Sequence, residues 1–299
     1  MYFRPALLLL LLAALPAHAP ARESGRAGVA VLEMGGTPTA ARVGERLAKL
    51  LASTDAGGVR LALLDRGMSG AAARGVGYAG SLNMTLAEAR SLGAAVGCDF
   101  FLTGDAQTIR RSSSARPSYF EAYASVFVVS ARTGGLVLWD RPAAEADTAA
   151  AAEDALLALV DARRVARYAS AVAEAAAREE RERFEPAGSE PASVIDLSAE
   201  DGAARPDLRE PAPYRRLRPA YTDAASRAEA EATVDAEVEI GADGRVAGVR
   251  VVRWAGFGLD EEVVSTVRRM NFRPAERDGE PVAVRVLLRY NFRRPPKTR

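Results

Sequence analysis

The sequence predicts an α/β N-terminal domain, a mixed sheet with helices, followed by a small α+β C-terminal domain of ββαβ order, the two joined by a Pro-rich linker. Three observations carry this. Between residues 28 and 145 short apolar runs take turns with segments of helical period. Residues 185–213 interleave Pro186, Pro191, Pro206, Pro211 and Pro213 with Glu, Asp, Ser and Gly, a composition with too little apolar surface to order itself. Beyond it, Thr233 to Ile240 alternates strictly, apolar on even numbers and mostly acidic on odd ones.

The elements follow in order. Val29–Leu32 reads as a short buried strand and Thr39–Leu51 as a helix with Val43, Leu47, Leu50 and Leu51 on one face. Val59–Leu64 is a second strand. Thr85-Leu86-Ala87-Glu88 is a capping-box pattern opening a helix that ends near Gly97. Asp99–Gly104 is a third strand. Tyr119–Ala131 and Leu136–Trp139 are two more, joined by the turn signal Thr133-Gly134-Gly135. An Ala-rich stretch from about Thr148 to Arg183 reads as one long helix striped by Leu156, Val160, Tyr168 and Val172. In the C-terminal domain, Asp243-Gly244 turns the first strand into a return strand, Val246–Trp254. A helix over Leu259–Met270 carries acids in its first turn and arginines at its end, matching its dipole. Val282, Val284, Val286, Leu288, Tyr290 and Phe292 mark the last strand, whose other face shows Arg285, Arg289 and Arg293. The expected boundaries are 1–21 for a signal peptide, 28–184 for the α/β domain with its long C-terminal helix, 185–213 for a disordered linker and 214–299 for the C-terminal domain.

The first 21 residues read as an export signal. Met1 and Arg4 precede an apolar run over Ala6–Leu15, and small residues around Ala19 and Ala21 fit a cleavage site, with cleavage after Ala21 favoured. The run is well short of the ~20 residues of a spanning helix. The expected location is the periplasm; a retained signal would instead anchor the chain in the inner membrane.

Composition excludes several chemistries. Lys plus Arg is 40 against 39 for Asp plus Glu, so no net basic field draws in nucleic acid. The only His, His18, lies in the removable segment, and the only Cys is Cys98. Triads built on His, the common His-bearing zinc sites and an intramolecular disulfide are therefore not expected. Gly75–Gly80 matches G-x-G-x-x-G, but it lacks the strand before it and the helix start after it that a dinucleotide site needs, so it reads as a loop. Cys98 reads as buried packing, and Ser112–Ser114 among Arg110, Arg111 and Arg116 as a solvated loop. Asn83-Met84-Thr85 fits a glycosylation sequon, yet Thr85 is better explained as a helix cap. Trp139 and Trp254 read as core or interface residues. Neither an enzyme nor a cofactor is expected.

The residues of the C-terminal part carry a resemblance. Arg218-Pro219-Ala220-Tyr221, Gly241-Ala242-Asp243-Gly244-Arg245-Val246, Gly256-Phe257-Gly258-Leu259-Asp260, Asn271-Phe272-Arg273-Pro274-Ala275 and Asp278-Gly279 together resemble the TonB C-terminal domain family over about residues 214–293. Thr222 and Met270 depart from it, standing where the family usually has Pro and often an aromatic residue. The N-terminal half more weakly resembles CsgG-like and TolB amino-terminal-type periplasmic domains, through Val29–Leu32, Leu64-Asp65-Arg66, Leu92–Gly104 and Thr133-Gly134.

The TonB resemblance implies capture of an extended segment of an outer-membrane receptor by strand addition to the last strand, in transport coupling across the envelope. The expected partner-binding residues are Val284, Arg285, Val286, Leu287, Leu288, Arg289, Tyr290, Asn291, Phe292 and Arg293, with Arg289 and Arg293 favouring an acidic partner. Two alternatives stand beside this. The arginines could simply pair with Asp235, Glu237 and Glu239 across the sheet. The chain could also be an envelope assembly scaffold or activator acting through its N-terminal domain, the C-terminal domain serving only for homodimerisation.

Overall fold

The computed structural model describes residues 26–54, 59–112, 114–184, 194–198 and 207–294. The signal peptide read at residues 1–21, and 185–193 and 199–206 of the linker, lie outside the described residues.

The N-terminal half comprises β1 (Arg26–Val31), α1 (Pro38–Ala52), β2 (Arg60–Leu63), α2 (Arg66–Gly75), α3 (Leu86–Val96), β3 (Phe100–Arg111), β4 (Tyr119–Ser130), β5 (Leu136–Asp140), β6 (Ala143–Ala146), α4 (Ala149–Leu159) and α5 (Ala162–Phe184). Local chemistry sets the helix starts. The Thr37 hydroxyl accepts from Ala40 N at 3.0 Å with Pro38 at the first helical position. The Asp65 carboxylate accepts from Met68 N at 2.8 Å, and Thr85 with Glu88 forms the expected capping box.

The sheet runs β2-β1-β3-β4-β5, parallel from β2 to β3 and antiparallel beyond, with β6 pairing β4 after β5 ends. Both of its faces are apolar, which is why β4 reads as a nearly unbroken hydrophobic run. Val29, Val31, Leu102, Val126 and Val128 face α1, α4 and α5, while Ala30, Leu32, Phe101, Phe127 and Val129 face the other way.

The Ala-rich stretch is two helices rather than one. The break falls at Val160–Asp161, because the Asp161 carboxylate accepts from Arg164 N at 2.8 Å and so starts a second helix. α2 is an element the sequence reading left out, its three glycines diluting any helical period.

The remaining described elements are β7 (Ile195–Asp196), β8 (Leu208–Arg209), β9 (Ala212–Pro213), α6 (Asp223–Ala228), β10 (Ala232–Ile240), β11 (Val246–Arg253), α7 (Leu259–Arg268), β12 (Phe272–Arg273), β13 (Ala275–Arg277), β14 (Glu280–Val282) and β15 (Val284–Phe292). The main sheet runs β11-β10-β15-β7. Leu259, Val263 and Val267 of α7 join Val234, Ala236, Val238, Ile240 and Val284 in one buried cluster, so this half has the expected ββαβ order. The outer strands β7, β8 and β9 come from the Pro-rich stretch. β7 pairs with β15, β8 with β13 and β9 with β12, so partners elsewhere in the chain supply the order its composition lacks.

The two halves share a core. Trp254, Ala255 and Phe257, in the loop between β11 and α7, belong to the same buried cluster as Phe101, Phe127 and Leu92. Phe127 stacks on Trp254 at 5.8 Å and meets Phe257 edge-on at 5.6 Å. Trp254 Nε1 donates to Gly134 O at 3.0 Å, and the Asn83 amide spans the junction, donating to Thr233 O and Trp254 O and accepting from Thr233 N. Two glycines are required here. A Cβ on Gly134 (φ +74°) would sit 2.0 Å from Leu86 O, and one on Gly256 (φ +72°) 2.5 Å from the Phe127 ring.

Candidate functional site

The last strand is held on one side by nine register pairs with β10, from Ala232 against Phe292 to Ile240 against Val284. Side chains alternate about it. Val284, Val286, Leu288, Tyr290 and Phe292 belong to the core beneath, Phe292 stacking on Tyr221 at 6.5 Å. Burial raises the Tyr290 phenol above its ordinary pKa, with Arg216 opposing. On the opposite face Arg285, Leu287, Arg289 and Asn291 stand against the acidic row of β10.

That face is a charge ladder. Arg285 Nη2 lies 2.7 Å from Glu239, and Arg289 Nε 2.8 Å from Asp235, which also takes Arg253 at 3.2 Å. Asp235 is buried, its side chain 4 % exposed, so the two guanidiniums offset the cost of dehydrating it. Leu287 sits opposite Glu237, which pairs with Arg250 of β11 instead. Asn291 Oδ1 accepts from the Thr233 hydroxyl at 2.8 Å. Arg293 is 80 % exposed and reaches Glu231 only at 3.8 Å.

The other edge of β15 is partly covered. β7 runs parallel to its first two residues, with Ile195 N donating to Ala283 O at 3.0 Å and Leu197 N to Arg285 O at 2.8 Å. Asp196 closes this corner, accepting from Ser198 N and Oγ and from Arg285 Nη1; the Ser198 bonds lead in holding its carboxyl below the usual range. From Val286 to Phe292 no strand lies beside that edge among the described residues. Because Arg285 presents its carbonyl there, period-two alternation turns the main-chain groups of Leu287, Arg289 and Asn291 the same way.

The ten residues read from the sequence thus fall on or just after one continuous strand. Sequence reading missed β7, whose one signal is the short apolar run Val194-Ile195 with Leu197, broken only by Asp196, inside the Pro-rich stretch. Asn83 was missed as well: noted only for a sequon match that Thr85's capping role explains better, it carries no mark of its role between the halves. Cys98 is buried, and Trp139 and Trp254 line the junction. No His, Cys, Asp and Glu cluster able to hold a metal occurs among the described residues, nor any helix long and apolar enough to cross a membrane.

A search of curated proteins finds no match to the chain. Among solved structures, the hypothetical protein CT253 from Chlamydia trachomatis is 14 % identical, covering 49 % of this chain and 99 % of its own, at a TM-score of 0.34. Lipoprotein GNA1162 from Neisseria meningitidis is 16 % identical over 51 % of this chain and 99 % of its own, at 0.28. The Pseudomonas aeruginosa TonB CTD is 22 % identical over 36 % of this chain and 99 % of its own, at 0.26. Residues 218–293 match the family described as Gram-negative bacterial TonB protein C-terminal. That stretch of the chain is a TonB C-terminal domain, a type of envelope protein-interaction domain, joined through a shared core to an α/β half that the match does not reach.

Proposed function

We propose that this is a non-enzymatic periplasmic protein that captures an extended segment of an outer-membrane receptor or another envelope protein by strand addition along Val286–Phe292, in transport coupling across the envelope. The observation that carries the reading is the uncovered edge of β15, where the main-chain groups of Leu287, Arg289 and Asn291 await a partner strand. Arg293 stands nearly unpaired at its far end and favours an acidic guest, whereas Arg289 is engaged by Asp235. β7 marks the near end. A guest either abuts it or displaces it, and displacement has few hydrogen bonds to break. No cofactor takes part.

Titrating the isotope-labelled chain with peptides from receptor N-termini tests this. Shifts along residues 286–292 are expected, at micromolar affinity. Their absence, in the native chain and in a Leu197→Pro variant lacking the Arg285 contact of β7, overturns the reading.

One observation favours a second reading, an assembly scaffold acting through the N-terminal half with the C-terminal domain for homodimerisation. The Trp254 junction fuses the halves more firmly than a tethered module requires. Crosslinking in cells separates the two: contacts from 286–292 to an outer-membrane barrel support capture, and contacts only from residues 28–145 support the scaffold.

A further inference from the structure

A groove of about 650 Å³ lies where the edge of the N-terminal sheet faces α7, away from β15. One wall is the five consecutive residues Gly135–Trp139, the residue before β5 and the first four residues of that strand. Leu136 and Trp139 pack with one core and Val137 and Leu138 with the other, a bulge between them breaking strict alternation, so a groove lined by all of them wraps the strand's edge and is bordered by main chain as well as by side chains. β5 is the last strand of its sheet, and among the described residues no strand lies beside its outer edge. The other wall is a stripe of α7 containing Glu261, Val264, Ser265 and Arg268, with Trp254 also lining the space.

The stripe carries one charge of each sign at its two ends. Glu261 and Arg268 are both exposed, and neither forms an ion pair or a side-chain hydrogen bond with any described residue, while most charges on the neighbouring sheet face are paired. Asp260 is not available in the same way: its carboxylate already accepts from Ala255 N at 2.8 Å and Gly256 N at 2.7 Å. Glu261 and Arg268 are seven positions apart, about 10 Å along the helix. Three to four residues of extended chain cover that distance.

We propose that this groove is a second strand-binding site, taking an extended apolar segment of a protein partner that carries a basic residue near one end and an acidic residue three or four positions away. The β5 edge supplies main-chain donors and acceptors that an extended backbone can satisfy and a lipid tail cannot. Val264, Leu136 and Trp139 supply the apolar middle. Glu261 and Arg268 select the two terminal charges. The volume suits a short peptide segment rather than a second whole sheet.

The test uses the full chain and four capped peptides built around Lys-Val-Thr-Val-Glu, with the terminal pair as Lys/Glu, Lys/Lys, Glu/Glu or Thr/Thr. The Lys/Glu peptide is expected to bind at least tenfold tighter than the Glu/Glu and Thr/Thr peptides and to shift the resonances of Gly135–Trp139. Arg268→Glu, at an exposed position, is expected to move the preference to Lys/Lys. Ser265→Trp, which fills the groove from the surface, is expected to abolish binding. No charge preference, an unchanged preference in Arg268→Glu, or shifts confined to 286–292 overturns the proposal. Self-association of the native chain that Arg268→Glu abolishes also overturns it, in favour of a second copy. None of these readouts depends on capture at β15.

Discussion

Trp254 ties the two halves together by both packing and hydrogen bonding. It is 2 % exposed, stacks on Phe127 and donates its indole N–H to Gly134. Trp254→Ala leaves a cavity and an unpaired carbonyl, and is expected to cost about 3–5 kcal/mol of stability, read by chemical denaturation. Gly256→Ala is expected to destabilise as well, since its methyl would drive into the same Phe127 ring at a positive φ. Asp260, which holds the Ala255 and Gly256 amides, adds a pH dependence. Burial raises its carboxyl to about 6, with Glu261 adding to the rise and the two amides opposing it. The folded state therefore binds the proton more tightly than the unfolded one. Asp260 makes unfolding harder as pH falls from about 6 to the ordinary carboxylate range, and this gain is lost as pH rises back through 6. Denaturation of the native chain and Asp260→Asn side by side should show the slope only in the former, at no more than about 1.4 kcal/mol per pH unit.

Elements that satisfy their own needs were legible in the sequence. The Thr85 capping box, the alternation of β10 and the dipole-matched α7 each rest on near neighbours, and each lies where expected. Elements that exist only through distant partners were not. β7 is two residues long and is held by Ala283 and Arg285, some ninety positions away in sequence. Asp161 was overlooked inside an apolar stripe whose period continued across it. The candidate site divides in the same way. The strand bearing it was readable from its alternation, and pairing of its arginines with the acidic row of β10 was one of the two readings the sequence left open; which acid each arginine meets, and that Asp235 is buried, depends on the β10–β15 register. Leu197→Pro, which deletes the N–H donated to Arg285, is expected to strengthen binding of a guest strand several-fold while leaving the thermal midpoint within a few degrees; titration and calorimetry check the two parts.

At the scale of the molecule, the shared core means that the halves should not unfold independently. The intact chain is expected to show one calorimetric transition, and residues 214–299 alone to melt at a lower temperature, because excision exposes Trp254 and Phe257 and removes the Asn83 contacts. Two well-separated transitions would count against this.

The β10–β15 ladder also has a mechanical meaning. A segment seated alongside β15 and tugged along its own length would load the nine register pairs in shear, all together, instead of peeling them apart one by one. β11, next in the sheet, runs directly into Trp254, so tension entering at the rim would be passed through the indole into the middle of the α/β half.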